Sequence, residues 1–124
     1  MKTRSKTATA IASLVATLSL LASLTACGSS KPAPTPSAEG VSPAAVVQAY
    51  DNGYKPKTVT VKVGEAVKWE FTGTAKHDVI AADGSFVSEL MQTGNYTHVF
   101  AKAGTYEYKC SVHPEMRGTV VVTE

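Results

Sequence analysis

Tyr106-Glu107-Tyr108-Lys109-Cys110-Ser111-Val112-His113-Pro114-Glu115-Met116 is the stretch on which the fold turns. In an extended strand, Tyr106, Tyr108 and Cys110 share one face, and Glu107 and Lys109 share the other. Cys110 therefore points inward where the strand ends. His113 and Met116 follow on a short loop, and Gly118 opens a last strand over Thr119 to Thr123. The same two-residue rhythm runs upstream. Ala45 to Tyr50 reads as a first strand. Thr58-Val59-Thr60-Val61-Lys62-Val63 puts three valines on one face before a turn at Gly64-Glu65. Ala66 to Phe71 alternates with Val67, Trp69 and Phe71 inward. His77 to Ala81 is a short strand ending near Asp83-Gly84, and Tyr96 to Ala101 leads through Gly104 into Thr105 to Cys110. Frequent turn residues and the lack of a long helical stripe argue for an all-β chain, an antiparallel sandwich or small barrel. Roughly 80 folded residues bury only a modest core, so a further constraint such as a metal would help.

The donor chemistry sits in the same stretch. Cys110, His113 and Met116 place a thiolate, an imidazole and a thioether within seven residues, able to wrap one side of a soft or borderline metal. Copper suits the set: thiolate and thioether stabilise Cu(I), and imidazole tolerates Cu(II). A trigonal His₂Cys set with a long axial Met is the blue-copper arrangement. The loop supplies one His, so the second comes from elsewhere. The candidate is His77, at a strand start after the turn-like Thr72-Gly73-Thr74-Ala75-Lys76.

The N-terminus reads as an export signal. Lys2, Arg4 and Lys6 form a basic region, and Ala8 to Leu24 is an uncharged, mainly apolar run. Leu24-Thr25-Ala26-Cys27 then resembles a bacterial lipobox, which implies a signal peptide over residues 1–26, cleavage before Cys27 and lipidation of Cys27. An uncleaved transmembrane anchor is the competing reading. A run of about 17 residues is at the lower limit for spanning a bilayer. Plain secretion is the third, and all three place the domain outside the cytoplasm. Residues 27–43 hold the lipidated Cys and a Pro/Ser-rich segment expected to be a disordered linker, semi-extended through its prolines, that holds the domain off the membrane and lets it swing. Without Lys2, Arg4 and Lys6, nine of the twelve basic residues face ten acidic ones. That balance gives no reason to expect nucleic-acid binding, which needs a concentrated basic face.

An even cysteine count in an exported chain usually suggests a disulfide. Cys27 is claimed by the lipobox, which leaves Cys110 alone in an oxidising compartment, where a free thiol is a liability. Metal ligation of the thiolate removes the problem. A Cys27–Cys110 disulfide, stapling the tail to the core, is the alternative.

Residues 44–124 resemble the cupredoxin family of small blue copper proteins, in its plastocyanin and amicyanin branch. The matching elements are Thr58 to Trp69, then His77, then Gly104 to Cys110, His113-Pro114, Met116, and Gly118 to Val122. The C-x2-H-x2-M loop has the short, amicyanin-like spacing. The resemblance implies a Greek-key β-sandwich or barrel of seven to eight strands. It also implies one copper ion held by His77, Cys110, His113 and Met116, and one-electron transfer with redox protein partners by a monomer; the lipobox-like sequence implies that this monomer is anchored to the cell membrane through Cys27. One position departs from the family: Asp78 stands after the first His, where Asn is common and helps tie the two ligand loops together. An Asp accepts a backbone N–H but cannot donate, and it adds negative charge beside the metal.

Other candidates have plainer readings. His98 alternates with Tyr96 and Phe100 and reads as structural. Met91 reads as packing, and Trp69, Tyr106 and Tyr108 as core. Glu115 reads as a solvated loop residue. Four filled ligand positions leave no open site for substrate, so an enzyme is not expected. A copper-binding protein for storage, resistance or delivery would use the same ligands, and a metal-free adhesive sandwich would leave the ligand set as coincidence. No Met-rich or His-rich tail favours delivery.

Overall fold

In a computed structural model that describes residues 30–124, the alternating apolar stretches form eight strands. They are β1 Ala45–Tyr50, β2 Gly53–Lys55, β3 Thr58–Lys62, β4 Ala66–Phe71, β5 Ile80–Ala81, β6 Gly94–Val99, β7 Gly104–Lys109 and β8 Arg117–Thr123. The export signal and Cys27 lie outside the described residues. The strands make two four-stranded sheets, ordered β2-β1-β4-β6 and β3-β8-β7-β5. Val47, Ala49, Val67, Trp69 and Phe71 of the first sheet and Val59, Val61, Tyr108, Val120 and Val122 of the second share one buried cluster. The two inner faces therefore sandwich a single core. Trp69, fully buried, stacks on Phe86 at 5.2 Å and meets Tyr108 edge-on at 5.4 Å. Truncating such a side chain to Ala costs about 3–5 kcal/mol.

Strand position follows the sequence closely and strand direction does not. The sheets are mixed: β1 runs parallel to β4, and β3 runs parallel to β8. Period-two patterning reports which face a side chain takes and is blind to the direction of the neighbouring strand. The Gly64-Glu65 turn, with Gly64 at φ 87°, does not close a hairpin; it carries the chain from one sheet to the other. Val63 falls past the end of β3 and is exposed, so two of its three valines face the core. The strand expected over His77 to Ala81 is reduced to β5 and a single bridge between His77 and Met91.

A larger difference lies before β1. The Pro/Ser-rich segment expected to be disordered is laid along the domain over residues 31–38. Thr35 donates its amide to Val87 O at 2.8 Å, and Ala38 donates its own to Thr97 O at 2.9 Å. Thr97 N donates to Ser37 Oγ at 3.0 Å, and Thr35 Oγ1 pairs with the Tyr96 hydroxyl. β6 is an edge strand, whose outer backbone groups need partners; this strap supplies them at Thr97. Composition announced a segment too polar for a core, but hydrogen bonding to a sheet edge needs no apolar side chains.

Candidate metal centre

His77 and Cys110 arrive at one end of the sandwich from opposite directions. His77 is pinned by its bridge: its N donates to Met91 O, and Met91 N donates to His77 O, both at 2.9 Å. Cys110 follows directly on β7. The loop beyond it closes on itself, with Met116 N donating to His113 O at 2.9 Å and Cys110 N donating to Met116 O at 3.1 Å. Short C-x2-H-x2-M spacing thus makes one tight turn that presents three of the four expected donors.

Cys110 Sγ lies 3.8 Å from His77 Nδ1 and 3.8 Å from His113 Nδ1. One ligand atom from each of the three residues falls within 4.8 Å of the others, and the two rings are 4.7 Å apart. At bond lengths of about 2.1 Å to imidazole and about 2.3 Å to thiolate, a trigonal angle separates N and S by about 3.8 Å. The spacing is that of donors around a common ion. Two imidazoles and one thiolate fit copper. His77 and Cys110 are wholly buried, and Met116, 1% exposed, belongs to the same packed cluster as Cys110. His113 is only half-buried, so the site meets solvent along its ring.

Two carboxylates support the donors, and the sequence had marked only one. Asp51, in the turn between β1 and β2, lies 3.0 Å from His77 Nε2. With Nε2–H donated there, Nδ1 keeps its lone pair for a metal. Asp51 is itself held by Thr74 Oγ1 at 2.6 Å, Thr74 N at 2.9 Å and Ala75 N at 2.9 Å. The Thr74 hydroxyl, then the two backbone N–H groups, then His77 hold its carboxyl well below the usual range. Gly73 is required here: a Cβ on it would run into the Asp51 carboxylate and the His77 ring. No local pattern ties Asp51 to a residue 26 positions away.

Asp78 is the marked one, and it does tie the ligand loops together, purely as an acceptor. Its Oδ1 takes the amide of Ser111 at 2.7 Å, and its Oδ2 takes the Ser111 hydroxyl at 2.6 Å. Oδ2 also takes Lys31 Nζ at 2.7 Å, a contact that no local pattern announces. The Tyr54 hydroxyl donates to the Asp78 carbonyl. Burial alone would raise the Asp78 carboxyl; the donors from Lys31 and Ser111 outweigh it and leave it lowered.

The remaining candidates fall outside this cluster. His98 packs between Phe86 at 5.1 Å and Phe100 at 4.8 Å. Met91 lies against the core, Trp69 and Tyr108 are inside it, and Glu115 is exposed. Cys110 is a free thiol among the described residues.

Comparison with known proteins agrees with this geometry. The model of the cupredoxin-like domain family matches residues 14–122. Amicyanin of Paracoccus versutus is 35% identical over 95 residues, covering 72% of this chain and 72% of its own. Amicyanin of Paracoccus denitrificans is 34% identical over the same span. Among solved structures, a Cu(I) form of an amicyanin variant superposes with a TM-score of 0.61 at 36% identity, over 72% of this chain and 90% of its own. A purple cupredoxin from Nitrosopumilus maritimus gives 0.59 at 29% identity, over 64% and 99%.

Proposed function

This chain belongs to the cupredoxin family, and from that premise we propose that it is a type 1 copper electron-transfer protein held outside the cytoplasm by a lipidated Cys27. It is an electron carrier and not an enzyme. The observation that carries the metal assignment is the convergence of His77 Nδ1, Cys110 Sγ and His113 Nδ1 on one point at the spacing of a trigonal site. Met116 would be the fourth donor on this reading. Copper, when bound, supplies the Cu(I)/Cu(II) couple. The chain's part is to hold geometry. Asp51 fixes the tautomer and plane of His77, Asp78 locks the two ligand segments together, and burial keeps water from His77, Cys110 and Met116. A stiff donor set changes little between oxidation states, which favours rapid exchange of one electron. The half-buried His113 edge is the exit. The partners are redox proteins, met as transient encounters by a monomer.

The anchoring rests on the basic start, the apolar run and the Leu24-Thr25-Ala26-Cys27 sequence. The test of the whole reading is to add Cu(II) to a soluble form beginning at Ser30 and record its spectrum and potential. An intense blue band with a reversible one-electron wave is expected. Tight binding without colour would favour copper storage or delivery. In the full chain, Cys27→Ala is expected to move the protein out of the membrane fraction and leave copper binding intact.

A further inference from the structure

We propose that Lys31 is a positioning residue of the metal centre: its ammonium closes a Lys31–Asp78–Ser111 clamp between the two ligand segments and offsets the Asp78 charge. The proposal rests on the copper reading above. Asp78 is the neighbour of His77, and Ser111 is the neighbour of Cys110. The Asp78 side chain is fully buried, and a buried carboxylate is costly unless its charge is paired and its lone pairs are filled. Ser111 fills two positions but brings no charge. Lys31, reaching in from 47 residues upstream, is the cation, and it also donates to Ser88 O at 2.7 Å.

Lys31 is no chance surface contact. The strap behind it is fastened along its length. Thr35 bonds to Val87 in both directions: amide to Val87 O at 2.8 Å, and Val87 N to Thr35 Oγ1 at 2.9 Å. Ser37 and Ala38 bond to Thr97 on β6. These contacts fix where the chain enters the site, and the Lys31 side chain is only 25% exposed. An uncompensated carboxylate beside the metal favours Cu(II) over Cu(I) and lowers the potential. The ammonium reverses much of that. The chain can thus carry Asp at this position because a lysine outside the ligand loops completes the site.

The test compares wild type, Lys31→Gln, Lys31→Arg and the double variant Lys31→Gln/Asp78→Asn, with two readouts. In copper-loaded protein, Lys31→Gln is expected to shift relative affinity toward Cu(II) about three- to tenfold, a fall in potential of about 30–60 mV at 59 mV per decade. Lys31→Arg is expected to stay close to wild type. In metal-free protein, amide exchange at Ser111 is expected to quicken about tenfold in Lys31→Gln. The double variant, lacking both charges, is expected to return to within about twofold of the wild-type affinity ratio. If Lys31→Gln lowers the melting temperature but leaves the potential unchanged, the strap is structural only and the proposal fails. Unchanged Ser111 exchange in the metal-free protein also overturns it, and that readout stands whether or not the protein takes up copper.

Discussion

The carboxylate of Asp51 and the ring of His77 meet at 3.0 Å, joining the β1–β2 turn to the first ligand. A ring nitrogen that donates to a fixed carboxylate cannot rotate away, and its opposite nitrogen gains basicity. Asp51→Ala is expected to weaken metal binding about 10–100-fold, read by competition with a chelator. Asp51→Asn keeps an acceptor and is expected to lose less. Gly73→Ala, whose new methyl would strike both Asp51 and His77, is expected to resemble Asp51→Ala. Wild-type affinity in all three variants would show that His77 is oriented by its backbone bridge alone.

Cys110 and Met116 are separable experimentally. Cys110→Ser is expected to abolish the blue band, because a hydroxyl is a hard, scarcely ionised donor. Met116→Leu keeps volume in a buried position, so metal-free stability is expected to change by under about 1.5 kcal/mol. Its potential is expected to rise by about 60 mV or more, a tenfold shift toward Cu(I). An unchanged potential would remove Met116 from the ligand set.

Val112 is 49% exposed beside His113, and Pro114 and Glu115 are exposed with it. This apolar centre with a charged rim suits weak, fast-dissociating contact. Val112→Asp is expected to slow second-order electron transfer about tenfold by spoiling close approach. Glu115→Gln is expected to alter mainly the salt dependence of the rate. If Val112→Asp leaves the rate unchanged at every ionic strength, electrons leave by another face.

His98 makes stability depend on pH away from the metal. Burial between Phe86 and Phe100 lowers its pKa below 6.5, with Asp83 opposing the shift. The unfolded chain therefore takes up a proton more readily than the folded one. The stabilisation is full above the unfolded value near 6.5, is lost as pH falls below it, and levels off beneath the lowered folded value. His98→Phe is expected to flatten this part of the slope in urea unfolding of the metal-free protein from about pH 7.5 to about pH 5. The two proteins differ at this position alone, so the difference in slope isolates His98. Identical slopes would mean that His98 does not sense folding.

What the sequence makes legible is whatever repeats or clusters locally. Ala66–Phe71 coincides with β4 because six alternating residues report their burial directly. His77 and the Cys110 to Met116 loop are legible because donor chemistry is rare and their order matches a family. β2 is missed because three residues carry no rhythm, although Asn52-Gly53 signals a turn. Parallel pairing is missed because alternation has no direction. Asp51 and Lys31 are missed for a shared reason: each acts through a single hydrogen bond across 26 and 47 residues, and one polar side chain far away in sequence leaves no pattern.

The strap changes how the protein would sit in the cell. With lipid on Cys27, only four peptide steps separate the acyl chains from Lys31, a leash of at most about 14 Å. Because Lys31 is bound at Asp78, the polypeptide enters the domain at its copper end. A swinging arm sixteen residues long would sample a hemisphere of solution; this leash would keep the redox centre within a few nanometres of the bilayer surface, on the order of the domain's own size. On that reading the search for partners would become lateral diffusion in two dimensions. Membrane-embedded or membrane-resting oxidoreductases would be met far more often than freely diffusing ones. Lengthening the stretch between Cys27 and Lys31 would trade that surface confinement for reach.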